Sequence, residues 1–458
     1  MIIPFLQVLA KPIFGEFEKE EFKKFLRMGL IFSFIIGSYW TLRVLKDSIF
    51  MNLVSKNDIP WAKTASLFCL FPLVIFYTKL LDKLSRERMF YTLATIYGCA
   101  TLVFAFLLLH PSLGQASAEI IASRVGLSYY GTKILGYAWY VFVESYGSLI
   151  VALFWAIVAD ITLPESAKKG FPFVVAIGQF GGIIGPKFIS SLPKNLGHTT
   201  SAVSVFVCSA LIFSLIGLFK YFMVVTPKHL LASFHGKNEA VKENEQEPGF
   251  LEGLKLLLSN WYLIGIFFVI AAYEIIVTVF DFHFKNLAGT TYSGVELDAY
   301  LGQYGSMVNT VSLICLLLGI SKITRVLGIG MALALMPIIV GFAIAGFMSF
   351  SDLTFLFYLM VGSKAINYAL NGPALKQLYI PTTHDVRFKS QAWIETFGSR
   401  GSKEAGSIIN MGLPFVGRAR HVMLSGCLGF VIVIGWFFTA LFLGRTFKKA
   451  VDSKTVVC

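Results

Sequence analysis

Apolar windows of about 20 residues, each long enough to cross a bilayer, recur along the chain, centred near residues 35, 70, 100, 147, 182, 213, 269, 307, 336, 362, 400 and 433. Their apolar character is continuous rather than alternating, which predicts helices and excludes a strand-built barrel. Six windows precede residue 226 and six follow residue 257. Between them lies the one long hydrophilic stretch, Pro227–Pro248, rich in both charge signs and expected to be a solvated linker. The expected fold is an all-α polytopic membrane protein with 12 transmembrane helices in two six-helix halves, residues 26–225 and 258–445. An N-terminal segment (1–25), a linker (226–257) and a tail (446–458) complete it.

Composition agrees with the pattern. The 458-residue chain is 56% hydrophobic with a mean hydropathy of +0.72, and 14% of it is charged, against roughly 25% in soluble domains. A net charge of +13 would point to nucleic acid in a soluble protein, but here most Lys and Arg lie between the spans, so no nucleic-acid partner is expected. Placing both termini in the cytoplasm puts fifteen Lys and Arg of the short loops inside and nine outside, which favours that orientation. Cys69, Cys99, Cys208, Cys315, Cys427 and Cys458 are scattered without a CxxC pair and read as packing residues. The N-terminal stretch lacks a basic start, a clean apolar core and a cleavage site, so no signal peptide is expected. No HExxH, no GxxxxGK[ST] loop and no cluster of His or Cys ligands occurs, which argues against an enzyme, a metal or a cofactor.

Charge inside the spans changes the picture most. An ionisable side chain at membrane depth costs at least about 2.5 kcal/mol on insertion scales, so each needs a reason. The set is Arg43, Lys46 and Asp47 in the first span, Glu144 in the fourth, and Glu274, Asp281 and Lys285 in the seventh. Lys364 in the tenth and Glu395, Arg400, Lys403 and Glu404 in the eleventh complete it. One reading of any single member is an ion pair that only fixes helix packing, or a long side chain reaching the interface. Spacing adds information: Arg43 and Asp47 are four apart, as are Arg400 and Glu404, so each arginine has an acid on its own helix. Lys46, Lys364 and Lys403 have no such acid and are expected to find counter-charge from Glu144 or Asp281 across the bundle, and from a ligand. Surplus positive charge among apolar helices suits an anion, and phosphate best, since Arg grips its oxygens bidentately while Lys supplies point charge. Tyr39, Trp40, Tyr146 and Trp155 lie near these cations in sequence and are candidates for stacking on a base.

Two six-span halves around a charged loop resemble the layout of major facilitator transporters, whose substrate site lies between repeated halves at mid-membrane depth. LDKLSRERMF after the second span resembles the short charged motif found there in those proteins. In the fifth span, GQFGGIIGP places Gly178 and Gly182, and Gly181 and Gly185, one turn apart, which predicts close approach of a neighbouring helix. Longer blocks carry a sharper resemblance: YWTLRVLKDSIF (39–50), the block 140–171 with VESYGS, the approach to the seventh span (250–287), and the block 363–403 with YIP and RGSK. In this order they resemble the non-mitochondrial ATP/ADP translocase family, the nucleotide transporters of obligate intracellular bacteria and plastids. That resemblance implies a major facilitator type bundle that exchanges nucleotides across a membrane, in a bacterium the inner (cell) membrane. It implies functional roles for Lys46, Glu144, Asp281 and Lys403, with Arg43 and Arg400 as flanking cations. Asp281 stands where the family usually has Glu, Glu274 replaces a small residue, and Leu375–Lys376 replaces Lys-Glu.

The leading expectation is thus a nucleotide exchanger working by alternating access, probed by loss of uptake in Lys46→Ala or Lys403→Ala, with lipid and nucleotide as its partners and a monomeric state. The alternative is a proton-coupled symporter for another anionic metabolite, with Glu144, Glu274 or Asp281 as relay. A membrane enzyme or receptor is the third reading, and no motif supports it.

Overall fold

The computed structural model describes residues 14–110, 127–162, 164–192, 199–227, 250–317, 321–379 and 390–453, with positions 7, 11–12, 113, 230–231, 381–382, 455 and 457. Each apolar window read from the sequence falls in a helical stretch: α1 (Lys19–Leu53), α2 (Ile59–Lys83), α3 (Arg86–Leu109), α4 (Leu127–Asp160), α5 (Pro164–Ser191), α6 (Thr199–Val225), α7 (Trp261–Thr291), α8 (Gly294–Leu317), α9 (Ser321–Ser349), α10 (Leu353–Ile366), α11 (Ser399–Asn410) and α12 (Arg418–Ser453). Among the described residues, nine of these stretches are long and apolar enough to cross a membrane. Most of Pro227–Pro248 lies outside the described residues.

Two irregularities interrupt this pattern, both in the region of Lys364 and Arg400. α10 continues through a wider π turn, Asn367–Asn371, into Gly372–Gln377, and α11 is entered through a second π turn, Ile394–Gly398. Such turns are rare and cluster at functional sites.

The chain divides into two compact units, Met1–Gly236 with Gly289–Thr310, and Lys237–Ala288 with Val311–Cys458. α7 and α8 therefore each run from one unit into the other.

In the first unit, α1 and α5 meet through the glycines singled out in the sequence. A methyl group added at Gly181 would lie 1.9 Å from the Ser33 carbonyl oxygen, so only glycine admits α1 at this separation. α3 and α6 bring Phe90 against Phe219 in a tilted pair with ring centroids 4.4 Å apart, and Ser209 donates to the Gly98 carbonyl at 2.9 Å. The Trp139 indole N–H of α4 reaches the Leu45 carbonyl of α1 at 3.4 Å. In the second unit α9 and α12 touch backbone to backbone, with Gly444 facing Gly330. α11 lies on α7, where Asn410 donates to the Thr278 carbonyl at 3.2 Å.

Large apolar side chains remain exposed on the outside, among them Phe106, Phe342, Val431 and Phe438. In water such a surface would drive association; against lipid tails it is the matching solvent.

Candidate functional site

In the first unit the charge cluster is built on α1 and α4. Lys46 donates a short hydrogen bond to the Glu144 carboxylate, and its Nζ lies 3.9 Å from Asp47 Oδ1 and 4.2 Å above the Tyr140 ring. The lysine side chain is 7% exposed and that of Glu144 is 38% exposed, so the acid is the accessible member of the pair. A buried ammonium is tolerable here because two carboxylates and an aromatic face surround it.

Aromatic side chains hold Arg43. Its guanidinium donates to the Tyr39 hydroxyl at 3.2 Å and lies 4.8 Å from the Trp40 ring centroid, while Asp47 is drawn towards Lys46. Tyr39 can take this position because Gly147 of α4 leaves room: a methyl there would lie 2.1 Å from the Tyr39 ring. The YGS triplet of the fourth span thus has a packing reason, since its glycine seats the tyrosine that orients Arg43.

Two further clusters occupy the second unit. Asp281 of α7 holds two lysines, Lys364 of α10 at 2.5 Å on Oδ1 and Lys285 of its own helix at 2.6 Å on Oδ2. All three side chains are at most 12% exposed. Around Lys403, Glu274 of α7 lies 3.6 Å from the ammonium and accepts from the Ser399 hydroxyl at 3.1 Å. Lys403 is 53% exposed on a helix, SRGSKEAGSIIN, too polar for lipid contact, so this face of α11 must be bathed by water. Near the end of α10 a fourth pair is bidentate, Lys376 to both oxygens of Glu395 at 2.7 and 2.8 Å. The three lysines without an own-helix (i, i+4) acid each meet a carboxylate on another helix: Lys46 on Glu144, Lys364 on Asp281 and Lys403 on Glu274. Arg400 is half-buried at the start of α11.

The aromatic residues divide. Tyr39 and Trp40 flank Arg43. Tyr146 is fully buried, its hydroxyl on Ser38 at 2.7 Å and its ring against Tyr97, which makes it a core residue rather than a surface for a base. Trp155 packs edge-on against Phe32, Phe154 and Phe171. The sequence reading passed over Asp298, fully buried near the start of α8 with the Ser201 hydroxyl on its carboxylate. The available signal was an acid with no cation three or four residues away. Among the described residues no group of side chains is arranged to hold a metal.

Lys46 and Lys364 are buried and Lys403 is half-exposed, and each is matched to an acid on a different helix. The chain was compared with known proteins. The model of the TLC ATP/ADP transporter family matches residues 7–362. The chain belongs to that family. The ADP,ATP carrier protein 4 of Rickettsia bellii is 25% identical over 95% of this chain and 92% of its own length. The chloroplastic ADP,ATP carrier protein 1 of Arabidopsis thaliana is 26% identical over 96% of this chain and 77% of its own. These alignments extend the ATP/ADP transporter match past residue 362 and take in the α10–α11 region that the family model leaves out. A crystal structure of a nucleoside transporter superposes with a TM-score of 0.60 at 14% identity, covering 91% of this chain and 99% of that one. At that identity the likeness concerns the fold, which is of the major facilitator type.

Proposed function

We propose that this member of the ATP/ADP transporter family exchanges nucleotides, ATP for ADP or related nucleoside phosphates, across a membrane by alternating access. Arg43, Lys46, Lys364, Arg400 and Lys403 bind phosphate oxygens, and Glu144 and Asp281 occupy the lysines when phosphate is absent. The protein moves its substrate unchanged and acts as a monomer in a bacterial inner membrane, with both termini cytoplasmic.

The observation that carries this reading is the Lys46–Glu144 pair. A lysine that is almost fully buried is held by an acid that is well exposed. Phosphate can take the place of that acid, and the displaced carboxylate has water to turn to, so the exchange of partners leaves no charge stranded. Obligatory exchange follows from the same physics. Reorienting with the lysines solvated or half-paired leaves buried charge uncompensated, which slows the empty carrier.

The test is uptake of labelled nucleotides by vesicles containing the purified protein. Uptake is expected only into vesicles loaded with nucleotide, and unlabelled ATP or ADP outside should compete. Uptake into empty vesicles that follows an imposed proton gradient would instead mark a symporter and contradict the reading.

A further inference from the structure

A buried carboxyl lies outside the phosphate clusters. Asp298, near the start of α8, is 0% exposed. Its Oδ2 accepts a hydrogen bond from Ser201 of α6, and its Oδ1 has no hydrogen-bond partner. The groups that face it are hydroxyls, Ser201 of α6 and Ser48 of α1, and among the described residues no charged side chain acts on it. Lys46 and Asp47, adjoining Ser48, are engaged with Glu144 and with each other. Glu296, two residues away on α8, is exposed.

An ionised carboxylate in this place would be a buried charge with no cation to offset it among the described residues. A protonated carboxyl carries no such charge, and its O–H can turn to the Ser48 hydroxyl that faces it. Asp298 also sits where, within the first unit, the tip of the α7–α8 hairpin is fastened to α1, α5 and α6. The Gly294 N–H donates to the Asn52 side chain of α1 at 3.2 Å, Gly289 lies against Met51, and Asn309 lies against Gly182 of α5. Of these fastenings, the Ser201–Asp298 bond is the one that depends on a titratable group.

We propose that Asp298 is a proton-binding site: the carboxyl holds its proton while the hairpin tip lies on α1 and α6, and gives it up to water when the tip lifts. The O–H bond breaks, the proton passes to water, and the carboxylate left behind is stabilised by hydration in place of the Ser201 bond. Because the docked tip binds the proton and the lifted tip does not, rising pH favours the lifted tip. The linkage is independent of which nucleotide is carried and gives exchange a dependence on pH at the end of the bundle where α1 ends and α8 begins.

The test uses the full-length protein in phosphatidylcholine vesicles without nucleotide, read in two ways. Infrared difference spectra between acidic and alkaline buffer are expected to contain the carbonyl stretch of a protonated carboxylic acid that Asp298→Asn lacks. Ser201→Ala, which keeps the acid and removes its donor, should move that band to higher frequency, so the inference does not hang on the Asn variant alone. Tip movement is followed by maleimide labelling of Leu297→Cys, a 1% exposed position beside Asp298, with the labelled peptide identified by mass spectrometry. Labelling is expected to rise with pH several-fold more steeply than it does when Asp298→Asn is added. Spectra unchanged by both substitutions, or labelling with the same pH dependence in both backgrounds, would overturn the proposal.

Discussion

Lys46→Ala is expected to lower nucleotide exchange by roughly 30- to 150-fold at unchanged protein level in the membrane. A charge-assisted hydrogen bond to an ionised group is worth about 2–3 kcal/mol, and each 1.4 kcal/mol is tenfold in affinity. The substitution removes more than a point charge. It takes away the donor to Glu144, the cation 3.9 Å from Asp47 and the cation above the Tyr140 ring, so the buried acid Asp47 loses its neighbouring positive charge. Initial rates of labelled ADP uptake into ADP-loaded vesicles, normalised to protein quantity, provide the check. A rate within a factor of three of wild type would remove Lys46 from the phosphate-binding set.

Asp281→Asn is expected to destabilise the protein by about 3–5 kcal/mol, the usual consequence of removing one partner from a buried ion pair. Each carboxylate oxygen serves one lysine, at 2.5 and 2.6 Å, and all three side chains are close to fully buried. The amide would neutralise neither ammonium, leaving two like charges around one neutral group. Thermal unfolding of the detergent-solubilised protein should show a much lower midpoint. Adding Lys364→Met to Asp281→Asn should recover part of the loss, because the second substitution removes one of the two lysines that shared the lost carboxylate; the two effects are then far from additive. If the double variant is as unstable as the sum of its parts, the three residues do not act as one electrostatic unit.

The helices were legible because a bilayer demands windows of a fixed length, and each window stands out between charged loops. The glycines of the fifth span were legible for a related reason: small residues one turn apart have few uses other than close helix contact, and Gly181 does face the α1 backbone. Pairing of charges was legible only in part. Sequence spacing relates residues on one helix, which is why Asp47 is assigned to Arg43, and it does not reveal the hydrogen bond of Arg43 to Tyr39, its place over the Trp40 ring or the approach of Asp47 to Lys46. Cross-helix partners such as Lys364 for Asp281 depend on which faces meet, and no periodicity encodes that. Burial was the least legible quantity. Tyr146 beside the charged fourth span resembles a stacking platform until it is found fully enclosed, and Asp298 resembles a solvated helix-start acid until its exposure proves to be zero.

The account turns on carboxylates that occupy the lysines in place of phosphate, and equilibrium binding of labelled ADP to the purified protein tests this most directly. Lys46→Gln should weaken binding by about 30-fold or more, as argued for a lost charge-assisted contact. Glu144→Gln should strengthen it, because phosphate then has no acid to displace from Lys46. Opposite signs for the two substitutions are the predicted result; equal weakening by both would contradict the account, since Glu144 would then support the bound nucleotide rather than compete with it.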